Sequence, residues 1–108
     1  MPISDLDKLK QMTAWTAEPA LSEDDLAAAL GVAARVDANG FGPIDEEWQP
    51  TYDLNAAASH AWLTKAARAA GTTEGDPATG IVTSRVFDNC RAMARIFAAK
   101  RSGTISTR

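Results

Sequence analysis

The chain has 108 residues, 45% of them hydrophobic and 23% charged, with a net charge of −3. That is the size of one small domain and the composition of a folded globule, so two domains and wholesale disorder are both excluded. The charge is uneven: residues 1–83 hold 5 Lys and Arg against 13 Asp and Glu, while residues 84–108 hold 6 against 1, an acidic body with a basic C-terminal end.

In chain order, the first predicted helix runs from about Ser4 to Ala14. Ser4 caps it, Asp5 and Asp7 suit the positive end of the dipole, and Leu6, Leu9 and Met12 recur at helical spacing. A second helix opens at "LSEDDLAAAL", with Ser22 as N-cap and Asp25 in the capping-box position. Its apolar stripe reads Leu26, Leu30, Ala33 and Val36, and Gly31 inside it predicts close packing against a neighbour. Asn39 to Pro50 then reads as a turn-rich loop anchored by Phe41, Ile44 and Trp48. Pro50 favours an extended Gln49, Tyr52 is placed to pack on the first turns that follow, and Asp53 is placed to cap the next helix through the amide of Asn55 or Ala56.

The third helix, Leu54 to Ala70, puts Leu54, Ala58, Ala61, Trp62, Lys65 and Ala69 on one face, with Lys65 at its edge and Gly71 as the stop. "TTEGDPATG" reads as a linker. The fourth helix, Ser84 to Lys100, carries Val86, Cys90, Met93 and Phe97 in a regular series with Phe87 and Ala94 alongside, Cys90 being read as a small core residue. Residues 102–108 read as a tail outside the helical domain of residues 1–101. The fold class expected is all-α: a small bundle of three to four helices with an extended C-terminal tail.

Chemistry is sparse. The lone cysteine excludes an internal disulfide and an all-cysteine zinc site, and fits a reducing cytoplasm. The acidic clusters at Glu23–Asp25 and Asp45–Glu47 read as solvated charge, and His60, the single histidine, cannot supply a multi-histidine metal site. "GFGP" lacks the strand and helix of a phosphate loop. The sequence offers no residue set for catalysis, cofactor binding or a metal, and no enzymatic activity is expected. The start "MPISDLDKLKQ" lacks a signal-peptide pattern, and no window reaches the ~18 to 20 apolar residues of a membrane span, so a soluble intracellular protein without membrane association is expected. Arg91 and Arg95, one turn apart, with Arg85, Lys100, Arg101 and Arg108, leave a small helical DNA-binding regulator open as an alternative.

The run Trp48, Pro50, Thr51, Tyr52, Asp53, Leu54, Asn55, followed by Trp62 and Lys65, then Cys90, Met93 and Ala94, and last Gly103 to Ser106, resembles the small head-tail connector (adaptor, or neck) proteins of bacteriophages and prophages. The likeness spans about Leu21 to the end and departs at "TTEGDPATGIVTSR", where a phenylalanine-rich loop is expected. The resemblance implies a helical virion protein, made in the host bacterial cytoplasm, that forms a homo-oligomeric ring of about twelve copies beneath the portal. Such a ring closes through heterologous contacts. Its partners would be the portal protein and further neck or tail proteins. DNA would pass through the lumen without specific binding, since an acidic interior repels phosphate. On this reading Lys100, Arg101, Gly103, Thr104, Ile105 and Ser106 dock the portal or a neighbouring subunit, and Trp48, Tyr52, Asp53 and Asn55 set the third helix.

Overall fold

In a computed structural model of the chain, the described residues are 4–73 and 80–101. They form four helices: α1 (Asp5–Thr13), α2 (Glu23–Val32), α3 (Leu54–Thr73) and α4 (Gly80–Lys100). No strand is present among these residues, so the architecture is the small all-α bundle that the apolar periodicity predicts. The tail residues Gly103, Thr104, Ile105 and Ser106 lie outside the described residues.

The caps at the first two helix starts form as expected. Ser4 Oγ accepts from the Asp7 amide at 3.1 Å. Ser22 Oγ accepts from the Asp25 amide at 3.1 Å while the Ser22 amide donates to Asp25 Oδ2 at 2.8 Å, the reciprocal pair of a capping box. The helix ends depart further from the sequence pattern. α2 stops at Val32, and Val36, expected in its apolar stripe, is exposed. The backbone beyond Val32 is committed elsewhere: the Ala33 carbonyl accepts from the Asp53 amide, Ala34 forms an antiparallel bridge with Tyr52, and the Arg35 amide donates to the Thr51 carbonyl. Gly31 is exposed, and a Cβ there would meet nothing within 4 Å, so the close approach expected at this residue is absent.

α3 continues through Gly71 to Thr73. Gly71 does not take the left-handed conformation that ends helices; among the described glycines only Gly40 has a positive φ. α4 begins at Gly80, taking in the residues ahead of the expected start at Ser84. Of the expected linker, Thr72 and Thr73 belong to α3 and Gly80 to α4, while residues 74–79 lie outside the described residues.

α3 is the axis of the bundle. On one side Ala57, Ala58 and Ala61 pack into a cluster with Leu9 of α1, Leu21, and Leu26, Ala29 and Ala33 around α2. On the other, Trp62 and Ala66 meet Cys90 and Ala94 of α4, flanked by Val86, Phe87, Met93 and Phe97. The alanines let helices approach closely, and the larger residues fill what remains. Leu9 and Leu26, both fully buried, each contribute about 1.5–3 kcal/mol by leaving water. Cys90 is the core residue expected, and burial pushes its thiol pKa up.

Candidate functional site

The run from Trp48 to Asn55 is a built corner. Trp48 Nε1 donates to the Arg35 carbonyl at 2.7 Å, and the Trp48 ring meets Tyr52 edge-on, centroids 5.8 Å apart and planes at 87°. Tyr52 is half-buried, its backbone paired with Ala34 and its ring against Trp48. Thr51 Oγ1 donates to the Gln49 carbonyl at 2.8 Å, while Pro50 is exposed. Asp53 is buried and caps α3 as expected, Oδ1 accepting from the Ala56 amide at 3.1 Å. Leu54 then starts the helix, half-buried.

One residue later the corner reaches across the fold. Asn55 Nδ2 donates to the Lys100 carbonyl at 3.3 Å, tying the first turn of α3 to the last residue of α4. Terminal helix carbonyls have no partner within their own helix, so this side-chain amide satisfies one of them. Lys100 Nζ lies 5.6 Å from the Phe97 ring centroid, and Lys100 and Arg101 are both exposed. The structure thus joins two groups that the sequence offered separately: the motif residues Trp48, Pro50, Tyr52, Asp53, Leu54 and Asn55, and the described part of the basic end, Lys100 and Arg101. Trp62 stands apart. It is buried, and its Nε1 donates to the Met12 carbonyl at 3.2 Å, so it holds α1 rather than the corner.

The loop feeding the corner is organised by Asp37, a residue outside the motif. Its Oδ1 accepts from the amides of Asn39 and Phe41 at 2.9 and 3.0 Å, and Oδ2 from the Gln49 amide at 2.8 Å. The Gln49 amide, with the others, holds the Asp37 carboxyl below its ordinary pKa. The signal was legible in "DANG": an Asp that bonds the backbone two residues on, with Gly40 at φ +89 completing the turn. Of the expected loop anchors, Phe41 and Trp48 are half-buried but Ile44 is 98% exposed, because the loop closes through backbone bonds rather than apolar packing.

The other surprise is Lys65. Placed at the edge of α3 by the sequence pattern, it is 1% exposed. Nζ donates to the carbonyls of Ala14 and Ala17, both at 2.9 Å, and lies 5.1 Å from the centroid of the Trp62 ring. Ala14 has φ 45, a left-handed conformation costly for a residue with a Cβ, and Lys65 secures the carbonyls of that turn. Burial lowers the Lys65 pKa. Glu23 and Asp25, expected as solvated charge, are paired: Glu23 with Lys10 at 2.6 Å, and Asp25 with both terminal nitrogens of Arg68 at 2.7 and 2.9 Å. Lys65 and Cys90 border a cavity of about 400 Å³ with Glu18, Arg85 and Asn89.

On the outer side of the α3–α4 pair lies a groove of about 190 Å³, lined by Ser59 and Leu63 of α3 and by Arg91, Ala94, Arg95 and Ala98 of α4. Arg91 and Arg95 are exposed, and neither forms an ion pair with the described residues. His60 is half-buried on α3. Among the described residues no three His, Cys, Asp or Glu side chains gather as a metal site, and no helix is long and apolar enough to cross a membrane. No family model, curated protein or solved structure matches the chain.

Proposed function

We propose that the protein is a structural head-tail connector subunit of a bacteriophage or prophage, one copy in a ring that joins the portal of the DNA-filled head to the tail, and that it has no enzymatic activity. The observation that carries this reading is the bond from Asn55 to the Lys100 carbonyl. The residues of the connector-like run, "WQPTYDLN", are spent on a rigid corner whose last member grips the end of α4, and from that end the chain leaves as "RSGTISTR". A corner that fixes the exit point of a terminal segment suits a subunit that works by seating that segment on another protein, as in recognition of short peptides through their backbone. Lys100 and Arg101 provide charge at the root of the segment, and Gly103, Thr104, Ile105 and Ser106 its contact residues. The partners are then the portal protein, further neck or tail proteins, and identical copies, with DNA passing through the ring lumen; the protein's place is the neck of the virion.

The test is removal of residues 102–108. Circular dichroism of the purified truncated chain should match the full-length protein, while heads and tails produced in its presence should fail to join. Joined, infectious particles carrying the truncated chain would defeat the docking role.

A further inference from the structure

We propose that the groove between α3 and α4 receives the tip of the Phe41–Trp48 loop of a second copy, with Ile44 entering the groove and Glu46 and Glu47 facing Arg91 and Arg95. This deepens the connector reading and rests on it for the premise that copies meet head to tail.

The loop tip is presented rather than slack. The Gly42 amide donates to Asp45 Oδ2 at 2.8 Å, the Asp45 amide to the Gly42 carbonyl at 3.0 Å, and the Trp48 amide to the Asp45 carbonyl at 3.1 Å. These bonds hold a turn on which Ile44 is 98% exposed, the most exposed of the large hydrophobic residues among those described. A pre-ordered turn loses little entropy on docking. Glu46 and Glu47, on the same turn, are exposed and form no ion pair among the described residues.

The groove offers the complement. Ala94 and Ala98 keep its α4 wall low, Leu63 is 52% exposed at its edge, and Arg91 and Arg95 stand one turn apart on the same wall. Its volume is about 190 Å³ and it opens to solvent, room for one aliphatic side chain to lie against it. The charges pair with the right sign, two carboxylates against two guanidiniums around an apolar centre, the arrangement of a small interface with a polar rim. Loop and groove are different patches of one chain. A contact between them is heterologous, the kind that closes rings.

Thiol cross-linking between two separately purified full-length variants tests this. Ile44→Cys and Leu63→Cys chains, distinguished by mass, are mixed under mild oxidation; Cys90 is buried and stays out of the reaction. Mixed dimers should form at least roughly tenfold faster than between Ile44→Cys and Ala27→Cys, the latter on the exposed side of α2, because docking raises the effective concentration of the paired thiols. Adding Glu46→Lys and Glu47→Lys to the loop variant should abolish the excess, and adding Arg91→Glu and Arg95→Glu to the groove variant should restore it. Circular dichroism confirms that each variant is folded. Cross-linking at the control rate overturns the proposal, as does an excess indifferent to the charge swap. If the excess is absent while tail truncation still blocks joining, the contact falls and the connector reading stands. If the excess is present and truncation leaves particles joined, the contact stands and the connector reading falls.

Discussion

The two sides of α3 share apolar packing and differ in the hydrogen bonds that accompany it. Toward α1 and α2 the apolar cluster of Ala57, Ala58 and Ala61 with Leu9, Leu26 and Ala29 is joined by directional contacts: Trp62, Lys65 and Arg68, spaced along one face, donate respectively to the carbonyl of Met12, to those of Ala14 and Ala17, and to that of Ala20 together with the Asp25 carboxylate. These three side chains stitch the whole α1–α2 connection to the central helix. Toward α4 the contact is apolar, Trp62 and Ala66 against Cys90 and Ala94, and a side-chain hydrogen bond runs from Asn55 to the Lys100 carbonyl at the helix end. Hydrogen bonds add a directional constraint to the non-directional drive of apolar burial. Both sides are packed; the α1–α2 side adds this set of hydrogen bonds, and the end of α4 carries the polar tie from Asn55.

The largest expected effect breaks the α1–α2 side. Lys65→Ala removes a buried stem and leaves the Ala14 and Ala17 carbonyls without their donor, at a cost of about 2–4 kcal/mol in chemical denaturation. Lys65→Met retains most of the packed volume and should recover part of that loss, the remainder measuring the two hydrogen bonds. A cost below about 0.5 kcal/mol for Lys65→Ala would mean that the α1–α2 connection is not held by this side chain.

A smaller effect sharpens the comparison through pH. Arg68 and the Ser22 amide hold the Asp25 carboxyl well below the usual carboxylate range. A carboxyl depressed in the folded state contributes stability that is complete above the unfolded value of about 4 and is lost as pH falls through the folded one. Both partners are partly exposed, so solvent screens the pair, and Asp25→Asn should cost about 1 kcal/mol at neutral pH, with the gap from the parent closing below about pH 4. A gap constant from pH 7 to pH 3, followed by thermal unfolding, would assign the loss to something other than the charge.

The fold was legible where local chemistry and periodicity agree. Ser4 and the Ser22–Asp25 box announced two helix starts, Asp53 announced a third, and the spacing of Val86, Cys90, Met93 and Phe97 gave the buried face of α4. What escaped was decided by tertiary partners. The stripe through Val36 looked helical, but the backbone after Val32 pairs with the segment from Thr51 to Asp53, a competition that no window of sequence contains. Lys65 looked like an edge residue because charge is usually exposed; the carbonyls that hold it belong to a turn about 50 positions away in the chain. Ile44 looked like an anchor because it is apolar, and faces solvent because Asp37 had already closed the loop. At the candidate site, the motif and the basic end were both visible, but the hydrogen bond that makes them one corner spans 45 positions and left no local trace.

That bond offers the smallest and most discriminating test. Asn55 sits in the first turn of α3, where a carboxylate is favoured by the helix dipole, yet its amide serves the end of α4, where only a donor will do. Asn55→Asp separates the two roles: it should leave overall stability within about 0.5 kcal/mol, or raise it, while setting a negative charge beside the Lys100 carbonyl. Hydrogen exchange should then quicken at the last-turn amides of α4 and stay unchanged at those of α3. Asn55→Ala should quicken the same α4 amides with a global loss of no more than about 1 kcal/mol. If neither variant loosens α4, the helix is placed by its apolar face alone and the corner does not govern where the chain leaves the fold. If both do, and under the proposed connector role the joining of heads to tails weakens in step, the tie at Asn55 is what fixes the point from which the proposed docking segment departs.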